Sequence, residues 1–230
     1  MHPEISILPS KLFYEGKLRD GDDMVVKRTM PWHSNPLFKP YQFFDVADGR
    51  EETSAKGHSQ FNRAEIKVAL ALYDRIRVEY ASKVDLDYRI GIITMYDAQK
   101  RELQKQFSLK YSDDVLKRID FGTVDGFQGQ EKDIIMVSCV RAGPNVQRIG
   151  HVMDTRRMNV AMTRAKTSLF LLGNALTLER SDEVWAKIVQ DARDRHHLMI
   201  VSLHVLLVGV CAYLRVRSSC LRLGENCLYH

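Results

Sequence analysis

Arg157 and Arg164 stand seven residues apart in a stretch, Arg156 to Arg164, whose composition suits a helix. Seven residues is close to two helical turns, so both guanidinium groups can project from one face. An arginine aimed at a phosphoryl group stabilises the charge that develops as the group leaves, an effect worth about 10³–10⁵ in rate where such residues are known. The plainer reading of a lone arginine is a solvated helix position. Upstream, Gly126 and Gly129 flank Phe127-Gln128. That spacing lets backbone amides approach a phosphate or sugar closely, and Asp125-Gly126 also reads as a tight turn. Thr94 closes an apolar run, where its hydroxyl can bond a phosphate oxygen or cap the helix that follows. Tyr96 can stack on a base or pack at the junction, and Gln99 is similarly ambiguous.

These groups need a scaffold, and the sequence supplies alternating signals. Tyr41 to Val46 reads as a first strand, and the polar stretch Asp48 to Gln60 as a surface loop. Asn62 then starts a helix, with Glu65 completing an N-x-x-E capping box and Ile66, Ala69, Leu70, Tyr73, Ile76 and Tyr80 at helical spacing. Arg89 to Thr94, Ile134 to Ser138 and Leu169 to Leu172 are short apolar runs of buried-strand type. Helices are expected over Asp97 to Phe107, Arg156 to Arg164 and Val184 to Ala192. The first forty residues carry five prolines, which favours short turns over long elements. Strands alternating with helices predict an α/β fold with a mostly parallel sheet flanked by helices, in which function gathers at the loops leaving the strand C-terminal ends.

Bulk properties narrow the class. A chain of 230 residues, 45% apolar and 27% charged, suits one well-buried globular domain. The net charge of +5 is weak evidence for a polyanion partner, because residues 195–230 supply +3 of it (four Arg, one Glu) and the remaining 194 only +2. Cys139, Cys211, Cys220 and Cys227 form no C-x-x-C pair and have no histidine pattern for zinc, so they read as reduced thiols in an intracellular protein. No secretory signal is visible at Met1-His2-Pro3-Glu4, which leaves nucleus or cytoplasm. His196-His197 has no metal-like partner at helical spacing. Asp182-Glu183 follows polar residues, unlike a buried carboxylate strand.

Three segments in order carry a resemblance: Gly91 to Gln99 (GIITMYDAQ), Gly122 to Glu131 (GTVDGFQGQE) and Arg156 to Lys166 (RRMNVAMTRAK). They resemble motifs IV, V and VI of superfamily 1 RNA/DNA helicases, in the group that contains senataxin and the nonsense-mediated-decay helicase. Met1-His2-Pro3-Glu4, Phe13 to Leu18 and Gly173-Asn174 match connecting segments of that group, and the likeness covers residues 1 to about 194. It implies the second RecA-like motor domain, of P-loop NTPase type. By resemblance Arg164 is an arginine finger, with Arg157 a second catalytic candidate. Gly129 and Glu131 belong to the nucleotide side, Glu131 bonding the ribose or holding the finger. Thr123 and Asp125, with Thr94, Tyr96 and Gln99, belong to the side facing nucleic acid. The implied ligands are ATP with Mg²⁺, shared with a first motor domain in cis or in trans, and single-stranded RNA or DNA.

The 230 residues contain no G-x-x-x-x-G-K-[S/T] loop and no buried Asp-Glu strand, elements that the family carries on its first motor domain. The family's Gln-Tyr-Arg would stand immediately before Met1. The chain is therefore expected to form one wall of an ATPase site and to be inactive alone. The alternatives are a non-catalytic nucleic-acid-binding or regulatory module, or a truncated nonfunctional product. Residues 195–230 are expected to form a separate tail, with Leu198 to Leu214 apolar apart from Ser202 and His204. A divergent gene end is the leading reading of that tail. A membrane anchor is the lesser one, because the run falls short of the roughly 20 residues of a span.

Overall fold

The computed structural model describes residues 1–201 except 56, 58, 145 and 147–149. Its strands are β1 (Tyr41–Val46), β2 (Glu52–Thr53), β3 (Gln60–Phe61), β4 (Ile90–Thr94), β5 (Ile119–Thr123), β6 (Lys132–Ser138), β7 (Ala165–Gly173) and β8 (Leu198–Val201). The helices are α1 (Pro3–Phe13), α2 (Met24–Arg28), α3 (Arg63–Tyr80), α4 (Asp97–Tyr111), α5 (Val115–Arg118), α6 (Thr155–Thr163), α7 (Ala175–Ser181) and α8 (Glu183–Asp194). Six strands form one sheet in the order β5-β4-β6-β7-β1-β8, all pairs parallel, while β2 and β3 make a small antiparallel pair. This is the expected α/β architecture, RecA-like, with helices on both faces.

The central strands are apolar along their length because both faces are covered. Ile135, Val137, Leu169 and Leu171 pack under α1, α6, α7 and α8, while Ile134, Met136, Phe170 and Leu172 pack under α3 and α4. Asn62 caps α3 by accepting the amides of Ala64 and Glu65 at 3.0 and 3.3 Å. The chain leaves β4 toward β5 and leaves β6 toward β7, so the order reverses between β4 and β6. In open parallel sheets such a reversal leaves a crevice at the strand C-terminal ends.

Several elements depart from the sequence expectation: the stretch read as a surface loop holds the short pair β2 and β3, helix α7 was not expected, and α1, β5 and β8 change the architecture most. The proline-rich start holds an eleven-residue helix, α1. Pro3 occupies the first turn, where an N–H would be unpaired anyway, and the His2 ring accepts the Glu4 amide at 3.1 Å. Pro9 sits inside the helix and forfeits one bond, while buried Ile5 and Leu8 fasten α1 to the core. Strand β5 went unread because Asp120 and Gly122 interrupt its apolar character, as suits a sheet edge. Strand β8 pairs with β1, so the sheet takes in residues beyond 194, and Arg195 helps to seat it by bonding Asp191 at 3.1 Å and lying over the Tyr41 ring. The rest of the apolar run, from Ser202 onward, with Cys211, Cys220 and Cys227, lies outside the described residues. Among the described residues, no helix is long and apolar enough to cross a membrane.

Candidate nucleotide and nucleic-acid site

The segment between β5 and β6 must travel from one edge of the sheet to the other. Thr123 ends β5 beside Thr94, at the C-terminal edge, and Lys132 starts β6 beside Ala165, at the N-terminal edge. Eight residues, 124 to 131, make the return across the face of β4. Phe127 anchors the crossing: it is buried, and its ring lies where side chains at Gly91 and Gly122 would stand. A Cβ on Gly91 would come within 2.8 Å of that ring, and one on Gly122 within 2.6 Å. These two glycines therefore form the seat of the loop. Gly129 differs: its φ is +84°, a conformation that favours glycine, and a Cβ there would meet nothing within 4 Å. Gly129, Gln130 and Glu131 are exposed.

Helix α6 runs alongside this crossing and is fastened to both of its ends. At the N-terminal edge the Arg164 guanidinium donates to the carbonyls of Val160 at 3.1 Å and Gln130 at 3.4 Å, and to the Thr163 hydroxyl at 3.2 Å. The Lys132 amide returns a bond to the Arg164 carbonyl at 3.0 Å. At the other end Arg157 pairs with Asp125 at 2.8 Å, with Asp154 at 3.8 Å; Asp154 also caps α6. The two arginines do project toward one loop, but they do not converge. Seven residues of helix separate them by about 10 Å along the axis, and each engages its own end of the loop. Of the candidates, Thr123 and Asp125 lie at the strand C-terminal ends, whereas Arg164, Gly129 and Glu131 lie at the opposite edge because α6 runs down into the start of β7.

A family model described as an AAA domain matches residues 1–176. Helicase SEN1 of Saccharomyces cerevisiae is 45% identical over 195 residues, covering 85% of this chain and 9% of that one. Helicase sen1 of Schizosaccharomyces pombe is 45% identical over 195 residues, 85% of this chain and 11% of its own length. The human protein named probable helicase senataxin is 36% identical over 197 residues, covering 85% and 7%. The chain belongs to the senataxin-like group of superfamily 1 helicases. It spans about a tenth of the length of these relatives. Among solved structures, the C-terminal domain of a possible DNA helicase from Lactobacillus is similar at TM-score 0.44 and 11% identity, over 75% of this chain and 97% of that one, too distant to align residues.

In this helicase domain the three motif IV candidates lie inside the protein. Thr94 is fully buried, and its hydroxyl accepts the Tyr96 amide at 3.3 Å. Tyr96 is 4% exposed; burial raises the pKa of its phenol, against the pull of the Arg141 guanidinium 3.4 Å away. Gln99 is fully buried and bonds the Ser138 hydroxyl at 2.7 Å and both backbone groups of Asn62. None of the three offers a surface to a nucleic-acid strand in this arrangement, because the start of α4 tucks under the α3 cap and the end of β6. Thr123 is half-buried and accepts the Gly126 amide at 3.3 Å, while Asp125 is exposed beside Arg157.

Sequence reasoning passed over Phe127 with its seats Gly91 and Gly122, and misassigned Glu65: the Asn62 backbone amide that a capping box would give it goes to Gln99 at 2.8 Å, and Glu65 instead accepts the Asn62 side chain at 3.3 Å and the Val140 amide. The signal for the first was one aromatic between two glycines, preceded by Gly91 and Gly122; these pair with Asp120 and Ile93, so they stand two positions apart on neighbouring strands. Among the described residues, no group of three or more His, Cys, Asp or Glu is placed to hold a metal ion.

Proposed function

We propose that this domain is the second motor domain of an ATP-dependent RNA/DNA helicase, presenting Arg164 to a nucleotide held mainly by a first RecA-like domain. The observation that supports it is the placement of Arg164: its guanidinium lies against the Gln130 carbonyl, between Gly129 and Glu131, at an exposed edge of the sheet. That edge fits a triphosphate in kind, since it combines a fixed cation, an open glycine backbone and a carboxylate able to accept ribose hydroxyls. Bound ATP supplies the transferable phosphoryl group, and Mg²⁺ falls to the first domain's carboxylates. On this chain Arg164 stabilises the developing charge, while Gly129 and Glu131 line the nucleotide.

At the opposite edge Thr123 and Asp125 face single-stranded RNA or DNA, and Arg157 sets Asp125 in place. Opening and closing of the two domains around ATP then couples turnover to movement of the strand. Such a role places the chain in the nucleus or the cytoplasm.

The test is ATP hydrolysis with single-stranded RNA, measured for the chain alone and mixed with a first motor domain of the group. Activity in the mixture only is expected, and Arg164→Ala should reduce it by about 10³-fold or more. Activity of the chain alone, or a mixture indifferent to Arg164→Ala, overturns the reading.

A further inference from the structure

The crevice between β4 and β6 is where an open parallel sheet usually takes a ligand, and here it is filled by side chains of the protein itself. Strand β6 ends at Ser138, and two residues later Val140 turns into the left-handed region with φ +71°. A β-branched residue rarely adopts that conformation and needs its surroundings to impose it. The surroundings are on hand. The Val140 amide donates to both oxygens of Glu65, at 3.0 and 2.9 Å, and the Val140 carbonyl accepts from the Asn62 side chain at 3.0 Å. The Ser138 hydroxyl donates to Glu65 at 2.5 Å. Gln99 closes the circuit from α4. Its carbonyl accepts the Asn62 amide at 2.8 Å, and its amide reaches the Asn62 carbonyl at 3.3 Å and Ser138 at 2.7 Å.

Asn62, Glu65, Gln99 and Ser138 all have no solvent exposure. Immediately after Val140, Arg141 bonds Glu51 at 2.6 Å and Tyr96 at 3.4 Å, and the Ala142 amide donates to Glu51 at 3.3 Å. The turn thus sets the start of the segment that leads to α6.

We propose that Gln99 is a positioning residue: through Asn62 and Glu65 it imposes the left-handed turn at Val140, which aims Arg141 and Ala142, and it acts without touching nucleic acid. The functional reading above enters only in naming what the turn serves. Asn62, Glu65 and Gln99 each hold a backbone group, and Ser138 ties the Glu65 and Gln99 side chains together, so the effect of the circuit is on where the chain goes. A residue that contacted the strand would need an exposed atom, and Gln99 has none.

The test uses the full 230-residue chain with Gln99→Ala, Val140→Gly and the pair. Amide exchange is read residue by residue. Gln99→Ala should speed exchange at Arg141 and Ala142 by about tenfold or more, with Leu171 in β7 unchanged, as a local opening requires. Adding Val140→Gly supplies a residue at ease in the left-handed region, and should return Arg141 and Ala142 to within about twofold of the parent. Unchanged exchange in Gln99→Ala overturns the proposal, as does failure of the paired substitution to restore it.

Binding of a labelled single-stranded RNA, followed by anisotropy, separates this from the functional reading. A loss of affinity in Gln99→Ala that Val140→Gly reverses supports positioning, and a loss that it leaves in place shows direct contact and overturns it. If the parent chain binds no RNA, the functional reading fails, and the exchange results still decide the relay.

Discussion

At the N-terminal edge of the sheet, Gly129, Gln130 and Glu131 face solvent, and Arg164 lies half-buried against them. At the C-terminal ends of β4 and β6 the polar residues Asn62, Glu65, Gln99 and Ser138 are wholly buried and bond one another. Gln99 and the exposed set all fall in segments that resemble helicase motifs, yet they stand in opposite physical situations. Exposed groups at the first edge can gain partners from a ligand. Groups in the crevice already have theirs, and any ligand would have to compete with them. Motif membership therefore leaves a residue's role open between contact and placement, and burial divides the two.

The largest effects of substitution should come from the buried set. Glu65→Ala leaves the Val140 amide and the Ser138 hydroxyl without an acceptor in a buried site, and should lower stability by about 3 kcal/mol or more in chemical denaturation. Arg164→Ala, by contrast, should lower it by less than about 1 kcal/mol, because its partners can turn to solvent. Equal losses would erase the distinction between the edges.

Glu65 also gives the comparison a pH signature. Burial pushes its carboxyl up to about 8, against the lowering pull of Ser138 and the Val140 amide, and the buried Cys139 thiol beside it is raised as well. Between its ordinary value of 4.5 and about 8 the folded chain keeps a proton that the unfolded chain has shed. Stability therefore falls as pH rises through that window and levels beyond it. His33 and His197, both lowered to about 4 by burial, act the other way between 4 and 6.5, so the Glu65 slope stands clear above 6.5. Denaturation midpoints from pH 6.5 to 8.5 should decline for the parent and stay level for Glu65→Gln; a flat parent curve would remove the buried acid from the account.

Glycines sharpen the same contrast on a smaller scale. Gly122→Ala puts a methyl group 2.6 Å from the Phe127 ring and should cost about 2 kcal/mol by overpacking. Gly129→Ala meets no neighbour but keeps a positive φ, and should cost about 1 kcal/mol. Thermal melts compare them directly, and a larger loss at Gly129 would mean that the open edge is packed more tightly than its geometry allows.

The strands and helices that position these groups were mostly legible because their signals are local. The apolar run of β4, the cap at Asn62 and the periodicity of α3 each depend on a few neighbouring residues. Strand β5 and helix α1 were not, because an edge strand tolerates Asp120 and Gly122, and a helix anchored by Ile5 and Leu8 survives Pro9. For the site, residue types and order located the right segments but could not say which edge of the sheet each would occupy. That depends on the loop from Val124 to Glu131 crossing β4, which rests on Phe127 meeting Gly91, a contact between residues thirty-six positions apart. Nor could spacing show that Gln99 would be enclosed, since its partners come from α3 and β6.

The smallest effect concerns Arg157, whose side chain is 33% exposed and whose partner Asp125 is 64% exposed. Solvent screens such a pair, so Arg157→Ala and Asp125→Ala should each cost no more than about 1 kcal/mol. The double-mutant cycle should give a coupling of a few tenths of a kcal/mol that shrinks in high salt. The functional consequence should be asymmetric in a way the stability is not. If Arg157 serves to hold Asp125 at the nucleic-acid edge, Arg157→Lys should keep most of the RNA affinity, because an ammonium can still pair with the carboxylate. If Arg157 reaches the nucleotide as a second finger, the same substitution should leave RNA binding intact but reduce ATP turnover in the two-domain mixture by at least about tenfold, since the planar guanidinium is not replaced by lysine. Turnover on that one variant therefore assigns Arg157 to one edge of the sheet or the other, with retained RNA affinity as the check that the domain is intact.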